Sequence, residues 1–167
     1  GVTRTVYSPE WVAANDLLET WMREAGLETR RDAVGNLFGI LRGTEPGPSI
    51  MSGSHVDSQA PGGKYDGALG IIAALTAIEA LNRTYGQPRQ TLEVVSLCEE
   101  EGSRFSSASF WGSRAILGVI KREDIEGTRG YIDESIGDAM RAIGLDPNLI
   151  PTAKRDDIET FIELHID

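Results

Sequence analysis

Apolar residues recur at helical spacing through Trp11, Ala14, Leu18, Trp21, Met22 and Ala25. Ser8-Pro9-Glu10 ahead of them supplies a cap, a first-turn proline and an acid at the positive helix end, and Gly26 supplies a stop. The spacing predicts a helix with both tryptophans in the core. Residues 27–42 read as two extended pieces around a turn at Val34-Gly35-Asn36, and Thr44 to Ser49 as a loop. Ile50 to Ser54 is a short strand. Residues 55–66 are nearly free of aliphatic side chains and form a loop. Gly67 to Arg83 is so apolar that its helix is expected to be covered on more than one side. Thr91 to Cys98 is a buried strand, 109–117 and 135–143 are helices, Pro147 and Pro151 bracket a turn, and 161–166 is a last strand.

Strands alternating with helices predict an α/β fold: three layers, with a mostly parallel sheet between helices on both faces. Ligands of such sheets bind beyond the carboxyl ends of the strands. The residues to inspect therefore follow Ser54, Cys98 and Ile166.

Composition narrows the function. Among 167 residues, 26 are acidic and 16 basic, a net charge of −10 that argues against a nucleic-acid surface. No apolar run is long enough to span a bilayer, so no membrane partner is expected. The single cysteine, Cys98, excludes an internal disulfide and suits a cytoplasmic, reducing setting. The chain opens on Gly1 and stops at Asp167 inside an apolar run. Such an end predicts a chain cut short.

The three strand ends hold the chemistry. Ser54-His55-Val56-Asp57 follows the first, with Asp66 eleven residues beyond His55; Glu99-Glu100-Glu101-Gly102 follows the second; His165 lies at the third. These two histidines are all the chain has. In an extended segment His55 and Asp57 face the same way, as a metal ligand and its orienting carboxylate do. Asp66, after Gly62-Gly63, reads either as a ligand or as a plain cap for the next helix. Three consecutive carboxylates are either a solvated face or a site neutralised by a cation. Adjacent side chains diverge, so one glutamate would bind metal while its neighbour acts as general base. His165 reads as a ligand or as a core histidine. Together, two histidines, an aspartate and a glutamate suit a pair of divalent ions bridged by a carboxylate.

The segments GSHVDSQAPGGKYDGALG (53–70), EVVSLCEEEGSRF (93–105), FWGSRAILG (110–118) and FIELHID (161–167), with the stretch from Gly1 to Gly43, resemble the M20-type metal-dependent amidohydrolases. The branch is that of allantoate amidohydrolases, N-carbamoyl-L-amino acid hydrolases and β-ureidopropionases. FWGS resembles the allantoate enzymes, and SQAPGGKYDG the carbamoylases. The resemblance implies a zinc-exopeptidase-like catalytic domain that hydrolyses linear C–N bonds of ureido or carbamoyl substrates, with two divalent ions, Zn or Mn, per complete site. It implies His55 and His165 on the first metal, Asp57 orienting His55, Asp66 bridging, Glu101 on the second metal and Glu100 as general base. It further implies a cis peptide at Asp66–Gly67 and a homodimer. The second metal's further histidine and the lid or dimerisation domain come from later in such sequences, so the resemblance implies that residues 1–167 are the first part of a larger catalytic domain and that this chain alone is inactive. Where the family continues His-Ile-Glu-Gln-Gly, this chain has Asp167. A peptidase of the same superfamily and a non-catalytic acidic α/β binding fragment are the competing readings.

Overall fold

The computed structural model describes residues 1–166. Helix α1 spans Pro9–Glu24. Ser8 Oγ accepts from the Trp11 amide at 3.1 Å, and Gly26 takes the left-handed conformation that ends the helix. Its buried stripe is Trp11, Asn15, Leu18 and Met22. Trp21 departs from the expected core packing: it lies one position off that stripe and is 40 % exposed.

Strands β1 (Glu28–Arg31) and β2 (Leu37–Leu41) form an antiparallel hairpin. Its turn is closed by Asp32, whose Oδ1 accepts from the Val34 and Asn36 amides at 3.0 and 2.9 Å. Then come β3 (Ser49–His55), α2 (Ala68–Tyr85), β4 (Leu92–Leu97), the short helices α3 (Trp111–Ile116), α4 (Arg122–Gly127) and α5 (Ile136–Ala142), a 3₁₀ turn (Pro147–Ala153) and β5 (Ile158–Ile162). The charged helix α4 buries no residue, so apolar spacing gave no sign of it.

The sheet order is β1-β2-β4-β3-β5. The α/β architecture is as expected, but parallel pairing is confined to β4-β3-β5; β1-β2-β4 is antiparallel. A tight hairpin joins β1 to β2, and only antiparallel strands tolerate so short a link. One face packs Leu37, Leu41 and Val94 with residues of α1 and α2. The other packs Phe38, Ile40, Met51, Val95 and Leu97 with Ile116 of α3. Helix α2 is covered on one side only: Ile71, Ala74, Leu75 and Ile78 are buried, while Leu69, Ile72 and Leu81 are exposed. Among the described residues no helix is long and apolar enough to cross a membrane.

This order decides where the site lies. The β3–α2–β4 connection leaves β3 on one side, and the chain returns through α3 to α5 to lay β5 on the other. The crevice beyond the carboxyl end of β3 is thus a topological switch point, where open α/β sheets bind ligands. His55 is the last residue of β3.

Candidate metal centre

The β3–β5 register builds the centre. Ile50, Met51 and Ser52 pair with Thr160, Phe161 and Ile162, a constant offset that also relates His55 to His165. Residues opposite one another on adjacent strands share a face. β5 ends earlier than its sequence pattern predicts, so His165 lies three residues past the strand yet keeps its place opposite His55. The imidazoles stack at 5.4 Å between centroids with 21° between planes, and their Nε2 atoms are 3.1 Å apart.

Hydrogen bonding sets what those nitrogens are. His55 Nδ1 lies 2.8 Å from the Asp57 carbonyl oxygen, and His165 Nδ1 lies 2.8 Å from that of Ile166. A carbonyl only accepts, so each Nδ1 carries the proton and each Nε2 presents its lone pair. Two carboxylates join them. Asp66 Oδ1 is 3.5 Å from His165 Nε2 and 4.0 Å from His55 Nε2, and Glu101 Oε1 is 3.6 Å from His55 Nε2. Ligand atoms of all four residues lie within 4.8 Å of one another. With both rings neutral, all four side chains offer acceptor atoms close together, the donor set a cation would take. Ligands about 2.0–2.1 Å from a tetrahedral ion are separated by roughly 3.3 Å, close to the spacings here. The donor set fits a divalent metal.

Surrounding residues hold this geometry. Asp57 acts on His55 through its main-chain carbonyl, not as expected through its carboxylate, whose Oδ1 stands 3.6 Å from Nδ1. The other carboxylate oxygen of this buried residue accepts from the Glu101 amide at 3.1 Å and so ties two strand ends together. Burial raises the Asp57 pKa, and His55 opposes that rise. Asp66 does not cap α2, whose cap position is Gly67 with no side-chain bond. Gly67 has φ near +64°, and a Cβ there would stand 2.6 Å from His55 Nδ1 and 2.4 Å from the His55 carbonyl oxygen. The one cis peptide among the described residues is Ala60–Pro61, so the cis bond expected at Asp66–Gly67 is absent; the positive φ of Gly67 makes the turn into α2. The amino terminus braces this loop: Arg4 and Ser58 exchange bonds of 3.0 and 3.1 Å, and Val2 bridges Gly62.

The three glutamates have three environments. Glu99 is fully buried, and its Oε1 accepts from the Arg104 and Phe105 amides; burial, then Asp57, pushes its pKa up to about 8. Glu100 is outside the four-residue cluster. Its carboxylate accepts from the Ser113 hydroxyl at 3.0 Å and amide at 3.3 Å, and burial outweighs those bonds to push its pKa up to about 7. Glu101 faces the histidines, and its Oε2 accepts from Gln59 Nε2 at 2.7 Å. Sequence reasoning passed over Gln59 and Ser113; Gln59's place in the aliphatic-poor loop is its only signal. Asp167 lies outside the described residues. A cavity of about 620 Å³ between the start of α1 and Gly35 touches none of the four ligand candidates.

Comparison with known proteins gives the family. The model for peptidase family M20/M25/M40 matches residues 51–167. The allantoate amidohydrolase of Bacillus subtilis (strain 168) is 48% identical, covering 100% of this chain and 40% of that protein. The N-carbamoyl-L-amino-acid amidohydrolase of Pseudomonas sp. (strain NS671) is 38% identical, covering 100% of this chain and 41% of that protein. A crystal structure of a hydantoinase/carbamoylase family amidase from Burkholderia ambifaria superposes with a TM-score of 0.88 at 31% identity, covering 99% of this chain and 40% of that one. The chain therefore spans about 40% of the length of the curated relatives it matches. With a switch-point site of two histidines and two carboxylates, and a family match over most of its length, the chain belongs to peptidase family M20/M25/M40.

Proposed function

We propose that this chain supplies the metal-binding part of a hydrolase acting on linear C–N amide bonds of ureido or carbamoyl compounds, with allantoate as first substrate. The observation that carries the metal reading is the pair of Nε2 lone pairs 3.1 Å apart, flanked by Asp66 and Glu101. The substrate reading rests on the similarity to allantoate amidohydrolase. An N-carbamoyl-L-amino acid is the second reading, favoured by the segment SQAPGGKYDG around Gln59; β-ureidopropionate has no separate feature in its favour.

His55, Asp66 and His165 would hold one divalent ion, and Asp66 and Glu101 a second, Zn or Mn. Bound there, the ions polarise a carbonyl and acidify water. Glu100 takes the proton of the attacking water and delivers it to the leaving nitrogen, help worth roughly 10²–10⁴ in rate. Ser113 keeps the Glu100 carboxylate from swinging freely. Asp57 and Gly67 hold the His55 ring in place. We further propose a cytoplasmic protein that works as a homodimer.

Metal titration with zinc and with manganese, followed by a panel of allantoate, N-carbamoyl amino acids and β-ureidopropionate, tests this reading. Stoichiometric uptake that is lost in His55→Ala and Asp66→Ala, with allantoate consumed fastest by the full-length protein, is the expected result. Uptake indifferent to both substitutions contradicts it and favours a non-catalytic acidic binding fragment.

A further inference from the structure

The backbone pairing of β3 with β5 runs to Ser52 and Ile162. β3 continues beside β4 as far as His55, whereas residues 163–166 follow β5 with no regular structure. Backbone pairing alone therefore leaves His165 without a tether. Besides the facing imidazoles, a side-chain bond crosses this gap. Ser54, fully buried, donates its hydroxyl to Glu163 Oε1 at 2.6 Å. Ser54 precedes His55, and Glu163 stands two residues before His165. Helix α2 presses on the same two segments: a Cβ on Gly70 would meet the Leu164 carbonyl oxygen at 2.3 Å and Ser54 Cβ at 2.8 Å.

We propose that Ser54 and Glu163 are a positioning pair that holds the segment after β5 against the end of β3, past their last backbone pairing, and sets His165 opposite His55. Neither residue touches the metal ligands' donor atoms. The pair acts by fixing where the third strand end lies, and a neutral acceptor at position 163 serves as well as a charged one. This inference rests on the metal-centre reading above.

The test compares Ser54→Ala, Glu163→Ala and Glu163→Gln in the whole chain. Three quantities are read: zinc affinity by competition with a chromophoric chelator, the visible spectrum of the cobalt(II)-loaded protein, and the thermal midpoint without metal. Ser54→Ala and Glu163→Ala are expected to weaken zinc binding by about 10- to 100-fold, the cost typical of lost outer support at metal sites. Their cobalt spectra should change as a nitrogen ligand is lost, while the metal-free midpoint of Glu163→Ala stays near that of the unsubstituted chain. Glu163→Gln keeps an oxygen for the Ser54 hydroxyl and should restore affinity and spectrum. Unaltered affinity and spectrum in Glu163→Ala overturn the proposal. So does a Glu163→Gln variant as weak as Glu163→Ala, because charge and not position would then be the cause. An unsubstituted chain that takes up no zinc contradicts the metal-centre reading itself.

Discussion

Two imidazoles whose Nδ1 protons are both committed to carbonyl oxygens leave two lone pairs facing each other. With both rings neutral, those lone pairs and the neighbouring carboxylates are all acceptors, an arrangement suited to a metal ion. Glu100, one residue from Glu101, is kept out of the ligand cluster by Ser113. If Glu100 is the base as proposed, Glu100→Gln should abolish hydrolysis in the full-length protein while leaving zinc affinity within about 3-fold, since none of the proposed ligands is removed. Turnover at a normal rate in that variant would reassign the base. Both histidines and the glutamate run stand out in the sequence because each lies at or just beyond a strand, and Asp66 because it follows Gly62-Gly63 ahead of a helix. The part of Asp57 was legible only in half: sequence spacing suggested its carboxylate, whereas its carbonyl does the orienting. Which group of a residue reaches a partner depends on backbone direction, which spacing does not encode.

At the scale of elements, two contacts hold the strand ends in place. Gly67 abuts the His55 ring at the start of α2, with a positive φ. Gly67→Ala adds strain of about 1–3 kcal/mol from that sparsely populated backbone conformation alone and pushes against His55. Zinc affinity should fall further than thermal stability does, measured by titration and melting of the same variant. β5 is anchored differently. Arg155 just ahead of it reaches back to Glu93 of β4 with bonds of 2.7 and 2.8 Å, and Glu93 is 3% exposed. Arg155→Ala leaves that carboxylate buried and unpaired, with an expected cost near 3–5 kcal/mol in denaturant unfolding. The further change Glu93→Leu should recover much of it, because no buried charge then remains. Element types followed from periodicity, as with α1, α2 and β4. The antiparallel half of the sheet did not, because Leu37 to Leu41 is buried on both faces and reads the same in either direction. The end of β5 was also misplaced: Leu164 and Ile166 continue the apolar pattern after the backbone pairing has stopped.

For the molecule as a whole, folding and the proposed metal site are coupled. A ligand bound only by the folded chain stabilises it by about 2.7 kcal/mol at a hundred times its dissociation constant. Cys98 offers a direct reading of that coupling. It is fully buried, and burial raises its thiol pKa well above the ordinary value. The thiol should therefore react with a disulfide reagent only when the protein opens. Saturating zinc should slow that labelling by about a hundredfold at the same excess, and a chelator should reverse the effect. Labelling at the rate of a free thiol would show that the core around Tyr7 and Cys98 is not closed in solution. The central claim is that Nε2 of His55 and His165 share one ion with Asp66. Anomalous diffraction at the zinc edge, from crystals grown with zinc, tests it most directly. The account expects a peak about 2.0–2.2 Å from both Nε2 atoms and from an Asp66 carboxylate oxygen. Zinc found only on surface residues, with the two imidazoles still facing each other, would contradict it.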